Sequence, residues 1–260
     1  MPKLDNRIAI VTGAGRNIGE AVAHAFAREG AKVAIVDLDR TLADAVAEAI
    51  NERDAGAALA VVADVSSSPD VRRMVERVVE HFGGVDILVN NVAITDHKTI
   101  LDLEEDEWDR VIRVSLRSPF LCTKYVARRL VEQGRGGRII NMASTSGHRG
   151  RPEATAYTAA KGAILNFTRS VAIQLAPYGV RVNSISPNQI GTPVGLDYVP
   201  ERRQVKNLVG RPGKPEDIAA AAVFLASADG DFITAADLLV DGGALAGGSA
   251  YSARPQPPPA

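Results

Sequence analysis

The sequence predicts an α/β protein built as one domain on a doubly wound parallel sheet. Three observations carry this. Seven short runs rich in β-branched residues alternate with longer stretches of helical period. Several runs are apolar at nearly every position, as strands covered on both faces must be. No shift in composition and no internal repeat marks a second domain, and 260 residues lie within the range of a single α/β unit.

The expected strands are residues 8–12, 32–37, 59–65, 86–91, 138–144, 181–186 and 238–241. Between the first two, Ile18, Val22 and Phe26 recur every four residues and mark a buried helix face. Val71, Val75, Val78 and Phe82 mark another, opened by Pro69 and Asp70. Pro215 with Glu216 and Asp217 opens a late helix reaching Leu225, because proline suits a first helical position and carboxylates suit a helix start. The domain is expected to span 1–246. Residues 247–260 are rich in Gly, Ser and Pro, the composition of an extended tail or of an arm laid on a neighbouring subunit.

Net charge is −1, which gives no electrostatic case for nucleic acid or an anionic membrane. The longest apolar run, 218–226, is too short to span a bilayer. A single cysteine, Cys122, rules out an intrachain disulfide and reads as a buried structural thiol. No metal-ligand pattern emerges. The expectation is a cytoplasmic protein without a membrane or nucleic-acid partner.

The first strand runs into Gly13-Ala14-Gly15-Arg16-Asn17-Ile18-Gly19, and a helix follows. A glycine turn between strand and helix lets a pyrophosphate approach the backbone, and the helix start offers free N–H groups. The spacing has one residue more than G-x-G-x-x-G before the last glycine. Asp37 ends the second strand eighteen positions after Gly19, where a carboxylate would accept from the adenosine ribose hydroxyls and repel a 2′-phosphate. Arg16 argues the other way, since it could pair with that phosphate. Asp37 weighs more, so NAD is expected over NADP. Asp64 and Val65 close the third strand, where the carboxylate could meet the adenine amino group. Asn90 and Asn91 close the fourth, across the sheet from the glycine turn.

Tyr157 and Lys161 lie four apart in a helical pattern, so both can face one cleft. A phenol near pH 10 is a poor base at neutral pH, but a neighbouring ammonium and a positive nicotinamide ring would lower that value. Tyr157 can then serve as base in alcohol oxidation and as acid in ketone reduction. Ser144 ends the fifth strand thirteen residues earlier, on the edge where the cofactor must lie, and could hold the substrate oxygen.

With these residues the chain resembles the short-chain dehydrogenase/reductase family over roughly residues 4–243. The resemblance rests on the Thr-Gly-rich turn, Asp64, Asn90-Asn91, Ser144, Tyr157 with Lys161, Pro187 and the closing Val240-Asp241-Gly242-Gly243. It implies a Rossmann-type seven-stranded sheet with helices on both faces, a nicotinamide cofactor and a homodimer or homotetramer. Tyr157 would be the acid/base, Lys161 would bind the nicotinamide ribose, Ser144 would position substrate, and Ile190 to Thr192 would hold the carboxamide. Several positions depart from the family pattern. Asn17 stands for a second small residue, and asparagine tolerates positive φ. Val92-Ala93 replaces Ala-Gly, and Asn188 replaces a glycine. Ser115 replaces the asparagine whose position holds a water in a proton relay reaching Lys161. The family's pocket segments here contain His97, Lys98, His148, Arg149, Arg151, Asn188, Gln189 and Tyr198. That polar, basic set suggests a polyol, a sugar derivative or a hydroxy acid, and the segment after Pro193 suggests a short lid. Two other function classes stay open: a lyase or epimerase that uses nicotinamide transiently, and a catalytically silent nucleotide-binding protein.

Overall fold

The computed structural model describes residues 2–192, 194, 205 and 207–247. The expected tail beyond residue 247, Tyr198 and most of the expected lid lie outside them. Seven parallel strands form one sheet: β1 (Ile8–Thr12), β2 (Lys32–Asp37), β3 (Ala58–Val62), β4 (Ile87–Asn90), β5 (Gly137–Met142), β6 (Val180–Pro187) and β7 (Asp237–Val240). Their spatial order is β3-β2-β1-β4-β5-β6-β7. The chain therefore runs outward from β1 to β3, returns, and runs outward again from β4 to β7. The crevice between β1 and β4, where the direction reverses, is where such a sheet takes a ligand.

Burial follows the period-2 geometry of a strand. Ala9 and Val11 face one core, with Val22 and Phe26 of α1 (Asn17–Arg28) and Ile218 of α7 (Pro215–Ala226). Ile8 and Ile10 face the other, with Val71, Met74 and Val78 of α3 (Ser68–Phe82) and Leu121, Val126 and Leu130 of α5 (Ser118–Gln133). Both faces of β1 are thus covered, which is why the strand is apolar throughout.

The helix starts follow local chemistry. Asp39 caps α2 (Arg40–Asn51) by accepting from the Thr41 N–H at 2.9 Å. Asp217 closes the start of α7 on the Lys214 N–H at 2.8 Å and takes both arms of Arg211, which hold its carboxyl down at about 2. Cys122 is buried, and burial pushes its thiol up to about 12, so it is an inert packing residue.

The expected strand ends need correction in two places that matter. β3 stops at Val62, so Asp64 and Val65 stand in the loop beyond it. β5 stops at Met142, and Ser144 instead caps a short 3₁₀ turn (Thr145–Gly147), its hydroxyl accepting from the Ser146 N–H at 3.1 Å. Apolar runs continue past the last ladder bond, so sequence alone places these ends too late.

Candidate active site

Two adjoining clefts lie along the carboxyl edge of the sheet. The larger, about 760 Å³, is lined by Gly13, Arg16, Asn17 and Ile18 from the glycine turn, by Asp37, Asp64 and Val65, and by Asn91 to Ile94. The smaller, about 420 Å³, is lined by Ser144, Tyr157, Lys161, Pro187, Ile190 and the polar residues His97, Arg149, Arg151, Asn188 and Gln189. Asn17, Ile18, Asn91, Ala93 and Thr192 border both, so the two form one trough.

The glycine turn is held by main-chain geometry. Gly13 has φ +62, and a Cβ at Gly19 would stand 2.0 Å from the Gly13 carbonyl oxygen, so α1 can pack on the turn only through glycine. Asn17 adopts φ 55, the positive value that asparagine tolerates. Its amide donates to the Thr192 carbonyl at 2.9 Å and ties the turn to the loop after β6. Asn91 donates to the carbonyls of Thr12 and Gly13, both at 3.1 Å, and closes the turn from the β4 side. Asn90 points instead into the core and donates to Asn141 at 2.8 Å. Asp37 Oδ2 accepts from the Gly15 N–H at 2.9 Å and Oδ1 from the Asp39 N–H at 3.1 Å, which fixes the carboxylate on the cleft wall. Asp64 is braced by Ser66, whose N–H and hydroxyl donate at 2.9 and 2.7 Å. The first turn of α1 receives no side-chain cap. Uncapped N–H groups, close-packed glycines and two anchored carboxylates along an elongated trough fit a dinucleotide.

In the second half of the trough, α6 (Thr155–Leu175) presents Tyr157 and Lys161 on one face. The Lys161 Nζ lies 5.7 Å from the Tyr157 ring centroid and donates to the Met142 carbonyl at 2.5 Å. Burial pulls Lys161 down to about 8. Burial also pushes the Tyr157 phenol above its ordinary value; a hydrogen bond with Ser144 and the charge of Arg151, whose Cζ is 6.0 Å from the ring, act against that. Desolvation dominates, and Ser144 and Arg151 are the groups that oppose it.

Ser115 lies in a π-helical segment (Arg113–Arg117) between α4 (Glu105–Ile112) and α5. It is fully buried and lines neither cleft. Its hydroxyl accepts from the Ile94 N–H at 3.0 Å and donates to the Ile94 carbonyl at 2.8 Å. The side chain therefore clamps the loop after β4. Two residues expected in the pocket also turn away. Lys98 pairs with Glu107 at 2.6 Å, and His148 Nε2 lies 2.9 Å from Asp237 and 3.2 Å from Ser186, against β6 and β7.

Sequence reasoning missed Asp96. It is 1% exposed, and its carboxylate accepts from the backbone N–H groups of Ala156 and Tyr157 at 3.2 and 3.0 Å. The one available signal was the poor capping residue Ala154 before α6, whose N–H groups had to be met from elsewhere.

The fold and trough define a dinucleotide-binding dehydrogenase scaffold. The family profile described as enoyl-(acyl carrier protein) reductase matches residues 13–244. The chain belongs to the short-chain dehydrogenase/reductase family and is an oxidoreductase of that family. It is 41% identical to the galactitol 2-dehydrogenase of Agrobacterium fabrum over 93% of this chain and 98% of that one. It is 37% identical to the sorbitol dehydrogenase of Cereibacter sphaeroides over 93% and 98%. The crystal structure of a 3-ketoacyl-(acyl-carrier-protein) reductase from Brucella melitensis complexed with NADH superimposes with a TM-score of 0.86 at 40% identity, covering 93% of this chain and 99% of that one. Among the described residues no helix is long and apolar enough to cross a membrane, and no cluster of His, Cys, Asp and Glu could hold a metal ion.

Proposed function

We propose that the protein is an NAD-dependent dehydrogenase that interconverts a secondary alcohol and a ketone in a small polar substrate. The observation that carries this reading is one trough that holds the glycine turn and Asp37 at one end and Ser144, Tyr157 and Lys161 at the other.

The bound nicotinamide supplies the hydride acceptor or donor. Gly13, Arg16, Asn17, Ile18 and Gly19 would hold the pyrophosphate, Asp37 the adenosine ribose, Asp64 and Val65 the adenine, and Asn91, Pro187, Ile190 and Thr192 the nicotinamide end. Asp37 supports NAD because its carboxylate, fixed by two N–H groups, meets a 2′-phosphate with like charge. Ser144 holds the substrate oxygen beside Tyr157, which takes its proton in oxidation and returns it in reduction. Lys161, anchored on Met142 and 5.7 Å from the Tyr157 ring centroid, would bind the nicotinamide ribose.

The polar rim of His97, Arg149, Arg151, Asn188 and Gln189 favours a polyol, sugar derivative or hydroxy acid. The galactitol and sorbitol dehydrogenases among the relatives point the same way. A homodimer or homotetramer in the cytoplasm, reached through no membrane or nucleic-acid partner, completes the reading.

The test follows NADH absorbance with NAD⁺ or NADP⁺ and a panel of polyols, hydroxy acids and apolar secondary alcohols. Turnover of polar alcohols with NAD⁺ preferred is the expected result. Turnover of apolar alcohols alone removes the polar-substrate reading. Tight NADH binding with no turnover of any alcohol shifts the assignment to chemistry without net redox change.

A further inference from the structure

We infer that Asp96 is a positioning residue for the reaction, which sets the depth of the Tyr157 phenol by holding the first turn of α6 from a distant loop. The inference rests on the reading of Tyr157 as the acid/base group.

A helix start leaves its first N–H groups without partners, and a side chain just before the helix normally meets them. Here that position is Ala154, whose side chain has no oxygen, and no side chain within the helix replaces it. Asp96 does so from about sixty residues away. One carboxylate oxygen accepts from Ala156 and the other from Tyr157, and the residue is 1% exposed. A carboxylate suits the place electrostatically, because the start of a helix carries partial positive charge. One of the two bonds ends on the backbone of Tyr157 itself. Only the side-chain torsions of Tyr157 separate that anchored amide from its phenol.

Asp96 is in turn held. Ser115 clamps Ile94 through both its N–H and its carbonyl, two residues before Asp96. Thr95 donates its hydroxyl to the Asp96 carbonyl at 2.9 Å. Ile94, Val111, Ala154 and Tyr157 share one small apolar cluster with Trp108. A continuous strut therefore runs from the π-helical segment through Ser115, Ile94 and Asp96 to Tyr157. The strut gives Ser115 a physical part: a short hydroxyl that reaches both backbone groups of Ile94 and fixes the loop from which Asp96 projects. Asp96 lines neither cleft, so its effect passes through Tyr157 and not through contact with substrate or cofactor.

Asp96→Asn keeps the shape but leaves one acceptor oxygen for two N–H groups; Asp96→Ala leaves none. A displacement on the order of 1 Å at a reacting group costs about a hundredfold in rate. The expected result is a kcat lowered about tenfold in Asp96→Asn and up to about a hundredfold in Asp96→Ala, with KM for the alcohol and Kd for NADH within about twofold of wild type. Amide hydrogen exchange at Ala156 and Tyr157 should accelerate in the same order. Asp96→Asn guards against a failure of Asp96→Ala to fold, and Tyr157→Phe is measured beside them. Wild-type kcat in both Asp96 variants, with Tyr157→Phe inactive, overturns this inference and leaves the acid/base reading standing. Loss of NADH binding in parallel with kcat overturns it too, because a general structural role would act on both. Retained turnover in Tyr157→Phe removes the acid/base reading, and this inference with it.

Discussion

The two ends of the trough are built on different physics. At the glycine-turn end the work falls to the backbone. Main-chain N–H groups and carbonyls, a positive φ at Gly13 and Asn17, and two carboxylates pinned by nearby N–H groups shape the cleft. At the other end the polar groups are buried side chains: Ser144 is 9% exposed, Tyr157 6% and Lys161 3%. A backbone site tolerates side-chain change wherever the turn can still form, as Asn17 shows. A buried polar site cannot, because each group lost leaves another without its partner.

This contrast can be broken most directly at Tyr157. Tyr157→Phe should lower kcat about 10³-fold, within the range that a general acid/base supplies, while fluorescence titration shows NADH affinity nearly unchanged. Equal losses in both would join the two ends and erase the distinction.

Lys161→Met should also remove turnover, and it carries a second signature. Burial holds Lys161 near 8, below its ordinary 10.5, so the charged folded state is disfavoured. That penalty, on the order of 3 kcal/mol, is present below about pH 8 and fades as pH rises towards 10.5. Thermal melts should therefore show the variant gaining stability relative to wild type at pH 7 and losing that advantage by pH 10. An advantage independent of pH would count against a buried charge.

The exposed end should respond in selectivity instead. Asp37→Ser removes the like charge that would face a 2′-phosphate on the proposed reading, and kcat/KM for NADP⁺ relative to NAD⁺ should rise about 10–100-fold, on the order of 1.4–2.7 kcal/mol. An unchanged ratio would move the discrimination to Arg16.

The pH profile sharpens the same comparison. Tyr157 lies above its ordinary value because it is buried, so a phenolate base is scarce at neutral pH. Alcohol oxidation should climb with pH across the range 7–9, and ketone reduction, which needs the protonated phenol, should not. The smallest effect is expected at Ser115. Ser115→Ala strips Ile94 of two hydrogen bonds, costs about 1–3 kcal/mol in a denaturant melt, and lowers kcat only severalfold.

The glycine-turn end of the trough was largely legible because the elements that build it are short-range. A strand, glycines and a helix follow one another in the chain, and Asp37 falls one βα unit later. Tyr157 and Lys161 were legible for a similar reason, since a separation of four in a helix guarantees a shared face. Other features left no local trace. His148 and Lys98 read as pocket residues until Asp237 and Glu107 claimed them, and both partners lie at a distance that no local pattern reports. The ends of β3 and β5 were set too late because apolar character outlasts the ladder.

The sequence by itself determined the alternation of strands and helices, the glycine turn, the acid at the end of β2 and the tyrosine–lysine pair, because each follows from periodicity or from neighbours in the chain. Only the tertiary structure decided that Ser115 grips Ile94, that Asp96 holds the helix bearing Tyr157, and that burial moves Tyr157 up and Lys161 down. Those outcomes depend on which distant groups meet in the low-dielectric interior and on how much water is excluded there, quantities that exist only once the chain has packed.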